Sequence, residues 1–117
     1  MTIFRCSVVL AGLLAACSAS RTDPPPDPST PIGKIFEISN FAERSAALKQ
    51  FADARLSNRA ALQTELRTAG FVESRFRNDT GVECQGFRWT DNGSWPVVVL
   101  LNICGEEVFA NAGQIAP

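Results

Sequence analysis

Two strand-like runs on either side of Asp91-Asn92-Gly93-Ser94 constrain this chain more than any other feature. Asn-Gly suits the left-handed backbone of a tight hairpin, so it signals two antiparallel strands. The flanking runs are residues 83–90 and 95–104. In the second, Val97-Val98-Val99-Leu100-Leu101 is β-branched or aliphatic at every position. A strand that is apolar on both faces belongs in the middle of a sheet. Cys104-Gly105 breaks it, and Val108-Phe109 is a short candidate strand beyond. Upstream, residues 71–77 read as a further strand with Val72 and Phe76 on one face. Asn78-Asp79-Thr80-Gly81 supplies the turn between them.

The region from Asn40 to Gly70 has helical periodicity instead. Asn40 followed by Glu43 has the form of a capping box. Phe41, Leu48, Phe51 and Ala52 then fall on one helical face. Leu62, Leu66 and Ala69 repeat the pattern, and Gly70 stands where a helix takes a left-handed stop. Ser57 and Asn58 are good N-cap residues between the runs. The pattern predicts two helices, near residues 41–55 and 58–69, with one continuous helix as the alternative. Ile35-Phe36-Glu37-Ile38 fits either a short strand or an extra helical turn. The fold class is therefore α+β: about two N-terminal helices packed on one face of a three- or four-stranded antiparallel sheet.

The N-terminus reads as a targeting segment. Arg5 is the only charge before an apolar or small run from Val8 to Ala16. That run is shorter than the roughly 20 residues a membrane-spanning helix needs. It ends in Leu14-Ala15-Ala16-Cys17, which resembles the lipobox of bacterial membrane lipoproteins. The resemblance implies a cleaved signal over residues 1–16 and acylation of Cys17. It also implies a membrane partner reached through that lipid, and a cell-envelope address. Two or more acyl chains anchor stably without protein insertion. Ser18, where an aspartate favours inner-membrane retention, points to the periplasmic face of an outer membrane.

The resemblance also sorts the cysteines. Cys6 leaves with the signal and Cys17 takes the lipid. Cys84 and Cys104 remain, in a compartment that permits disulfides. A disulfide and two reduced, buried thiols are both compatible with this pair. Register favours the bridge. If Cys84 faces Cys104, then Gln85 faces Ile103, Phe87 faces Leu101 and Trp89 faces Val99. Alternation then gathers the large apolar residues on one face, and a slip of one residue scatters them.

Between anchor and domain, residues 17–31 carry five prolines from Pro24 onward. They are expected to form an extended tether of roughly 40 Å, with a proline-recognition motif as the alternative. The domain is then residues 32–117.

The sequence contains no catalytic signature. Histidine is absent, which removes the commonest general base and the commonest zinc ligand. Ser74 and Ser94 lack a recognisable base, and Glu106-Glu107 reads as a solvated turn. Gly81, Gly86, Gly93 and Gly105 are too dispersed for a phosphate loop. No catalytic activity, metal or cofactor is expected. The net charge of −1 gives no electrostatic case for nucleic acid. The remaining surface feature is Arg75, Arg77 and Arg88 with Trp95. Alternation with Val72 and Phe76 puts the first two on the uncovered side of the sheet with Arg88. Such a patch suits a protein partner. The expected function is an envelope lipoprotein that binds another envelope protein, as assembly accessory or inhibitor. The alternative is a carrier of a small molecule or lipid between helices and sheet.

Overall fold

The computed structural model describes residues 24–115. The readings made on residues 1–16, Cys17 and Ser18 lie outside them. The order is α1 (Pro31–Phe36), α2 (Phe41–Asp53), a 3-10 turn (Leu56–Asn58) and α3 (Arg59–Thr68), then β1 (Val72–Arg77), β2 (Glu83–Thr90), β3 (Val97–Cys104) and β4 (Glu107–Gln114). The strands form one antiparallel sheet in the order β1-β2-β3-β4. The fold is α+β, with the helices preceding the sheet.

Each helix boundary has a local cause. Asn40 Oδ1 accepts the Glu43 amide at 2.9 Å, which caps α2. Asn58 does the same for Ala61 at the start of α3. Gly70 adopts φ 104. It lets the Gly70 and Phe71 amides turn back to the Arg67 and Leu66 carbonyls, a Schellman ending. The chain therefore has two main helices, not one continuous helix. A third, α1, was not expected as a full element. Thr30 caps it by accepting the Gly33 amide at 3.0 Å, and Pro31 opens it. Proline is well tolerated there, because its missing N–H has no helical partner in the first turn. The helix begins one residue before the domain boundary expected after residue 31, and it takes in Ile35 and Phe36.

The register is the one the cysteines and the apolar pattern require. Cys84 pairs with Cys104, Phe87 with Leu101 and Trp89 with Val99. A disulfide joins Cys84 and Cys104. The hairpin loop is longer than a two-residue Asn-Gly turn. Asn92 is left-handed at φ 56, but pairing stops at Thr90 and resumes at Val98. Pro96 cannot donate to a ladder. Asp91 Oδ1 accepts from Gly93 and Val97 and organises the loop instead. The β3–β4 connection is tight, with Gly105 at φ 63 in a two-residue turn.

The helices bury one face of the sheet. Leu48, Leu62, Leu66, Phe87, Val99 and Leu101 are 0–1% exposed. Ile32 and Ile35 join this core from α1. Phe36 meets Trp89 edge-on, with ring centroids 4.8 Å apart. At about 1.5–3 kcal/mol for each large apolar side chain removed from water, these contacts dominate the fold's stability. Arg55 joins α2 to α3: it lies 3.8 Å over the Phe51 ring and pairs with Glu65 at 3.2 Å.

Candidate functional site: the open face of the sheet

Pair register assigns every strand residue to a face. Gln85, Phe87, Trp89, Val99, Leu101, Ile103, Val108 and Ala112 point to the helices. The opposite face carries three rows. They are Val72-Arg88-Leu100-Asn111, Ser74-Gly86-Asn102-Phe109 and Phe76-Cys84-Cys104-Glu107, beside a shorter fourth, Thr90-Val98-Gly113. The disulfide therefore lies on the face turned away from the core. It is nevertheless buried, with Cys84 0% and Cys104 8% exposed. Phe76 is the cross-strand partner of Cys84. Its Cε1 lies 3.3 Å from the position a Cβ on Gly86 would take. The aromatic ring thus covers the gap left by glycine beside the disulfide.

Several large apolar side chains on this face remain in water. Val72 is 70%, Phe109 54% and Phe76 40% exposed. Leu100 is half-buried in the row between Val72 and Asn111. Arg88 stands beside Val72 and Leu100 and is exposed. Among the described residues it makes no ion pair. The face offers apolar contact around one uncommitted guanidinium, with Asn102 and Asn111 as hydrogen-bonding groups.

The expected arginine cluster does not assemble on this face. Val72 and Phe76 point outward, so Arg75 and Arg77 alternate onto the helix side, with Glu73. The expectation that apolar residues point inward fails here. At this edge strand the register sets Val72 opposite Arg88 and Phe76 opposite Cys84, on the face away from the helices, and β1 reverses the usual pattern. Arg77 donates to the Gly81 carbonyl at 3.0 Å and braces the β1–β2 turn. Arg75 lies 4.0 Å from Glu73, which also pairs with Arg67 at 2.8 Å. Trp95 is 56% exposed in the β2–β3 loop, beyond the last pair of the hairpin. Phe109 was missed as a site residue. Its position opposite Asn102 becomes legible only once β4 is known to run for eight residues.

The core side chains named above pack between the helices and the sheet, where a carrier would hold its cargo. Among the described residues, no group of three His, Cys, Asp or Glu is placed to hold a metal ion. No helix among them is long and apolar enough to cross a membrane. No family model, curated protein or solved structure matches the chain.

Proposed function

We propose that this chain is a cell-envelope lipoprotein, acylated on Cys17, whose domain binds another envelope protein across the open face of the sheet. The observation that carries the binding half is the exposure of Val72, Phe76 and Phe109 on the face the helices leave bare. Exposed apolar side chains on one face with an arginine that makes no ion pair among the described residues are the composition that protein contacts use. The anchoring half rests on the lipobox. A role as an assembly accessory or inhibitor fits a small domain carried on such an anchor, with no catalytic constellation among the described residues.

A photo-crosslinking residue at position 88, compared with one at exposed Ala60 on α3, tests the binding half in intact cells. One discrete covalent product from position 88 and none from position 60 is expected. Identical diffuse products from both positions would remove the face from consideration. Labelled palmitate, incorporated by the native chain and lost in Cys17→Ser, tests the anchor.

A further inference from the structure

The helix side holds a second site, independent of the open face. Residues 24–28 are not a free spacer. Pro26 is buried. The Asp27 carbonyl accepts from Thr30 N at 3.0 Å and Thr30 Oγ1 at 2.6 Å. It rests directly on Gly33: a Cβ there would overlap the Asp27 carbonyl and come within 2.8 Å of Pro28 Cα. Glycine at position 33 is what lets this strap lie against α1.

Ahead of Asp27 the strap runs over the C-terminal end of α3. There it walls a cleft of about 310 Å³ with Thr68, Ala69, Gly70 and Trp89. A smaller cleft of about 210 Å³ lies along Thr64, Thr68 and Ile32, and Pro26 lines both. Together they make a groove in which one proline is seated. Trp89 is 5% exposed. Its indole Nε1 is buried and has no hydrogen-bond acceptor among the described residues. Gly70 leaves that edge of the ring open, since a Cβ there would sit 3.4 Å from Nε1. A buried donor without an acceptor is a rare feature in a folded protein and calls for a specific explanation.

We propose that this groove binds an extended, proline-bearing segment of a partner protein, whose backbone carbonyl accepts the Trp89 indole N–H, and that the strap is its resident competitor. The strap itself shows that a proline fits, since Pro26 is buried there. Polyproline segments are already extended before they bind, and their carbonyls have no internal partners. Aromatic grooves that recognise such segments exploit both properties. The strap fills the groove's apolar part yet, among the described residues, leaves the buried Trp89 donor without an acceptor. A segment that supplies the acceptor therefore has an advantage over it.

The test uses the full chain in detergent with Trp95→Phe, so that Trp89 is the sole indole. The probe is a synthetic Pro-Pro-Pro-Asp-Pro peptide with blocked ends. Gly33→Ala forces the strap off α1, and Pro26→Ser removes its buried anchor without altering a helix. Should the first variant fail to fold, the second makes the same comparison. The expected result is saturable binding that moves the Trp89 Nε1–H resonance downfield, at least ten-fold tighter in the strap variants than in the intact strap. No shift at millimolar peptide in any form would overturn the proposal. So would equal binding by an all-alanine analogue, or equal affinity with and without the strap. An indole shift that follows chain concentration without peptide would assign the groove to a second copy's strap and also overturn it.

Discussion

Ser45 Oγ accepts the backbone amide of Ala112 at 2.8 Å, a contact between residues 67 positions apart. The 4.2 Å Cα separation of Cys84 and Cys104 marks a non-hydrogen-bonded pair. Alternation from that pair turns the Ala112 amide toward the free edge of β4. Ser45, which also donates to the Phe41 carbonyl, thus closes an edge group that could otherwise pair with a foreign strand. Ser45→Ala is expected to cost about 1–3 kcal/mol, the range for a buried donor left unsatisfied. Hydrogen exchange at the Ala112 amide should accelerate, while amides in β2 keep their protection against local opening.

The disulfide closes a loop of 20 residues in sequence. The chain-entropy account gives it about 3 kcal/mol of stabilisation. Replacing both cysteines with alanine should lower the free energy of unfolding by that amount, read as a lower denaturant midpoint. Because Phe87, Trp89, Val99 and Leu101 enforce the same register, the double variant should keep its strand pairing. Cross-strand nuclear Overhauser contacts between Trp89 and Val99 check this.

The two faces of the sheet should respond differently to truncation. Leu66 is fully buried, and Leu66→Ala should cost about 2–5 kcal/mol. Val72 is 70% exposed, and Val72→Ala should change stability by no more than about 0.5 kcal/mol. Equilibrium unfolding of both variants makes the comparison.

The strap carries a pH-sensitive turn. Hydrogen bonds from the Ser29 amide and hydroxyl hold the Asp27 carboxyl below its usual pKa. A lowered folded-state pKa stabilises the folded turn above the unfolded value, near pH 4. That contribution is lost as pH falls through the lower folded value. The Ser29 amide resonance should therefore titrate together with the Asp27 carboxyl carbon, at a midpoint below that of an unstructured aspartate.

How far the sequence disclosed this structure depended on where burial is complete. In β2 and β3 both neighbours are present, and the alternation of Phe87, Trp89, Val99 and Leu101 specified face and register together. The caps at Asn40 and Asn58 and the stop at Gly70 were legible for a similar reason, since each acts within one helical turn. The edges were not. Val72 and Phe76 look like core residues by type and are surface residues because the β1–β2 register turns them to the face away from the helices. Arg75 and Arg77 changed faces with them. The α1 helix is short and held by tertiary contacts of Ile32, Ile35 and Phe36, which periodicity does not record. The buried position of Pro26 had no local signal, because a proline run reads the same in solvent and in a groove.

The most direct test of the open face as a binding surface is the double substitution Val72→Lys and Phe109→Lys, measured by crosslinking from position 88 alongside thermal unfolding. Both side chains are more than half exposed, so the account predicts a Tm within a few degrees of the native value and loss of the discrete crosslinked product. A product that survives both lysines in a folded domain would contradict it.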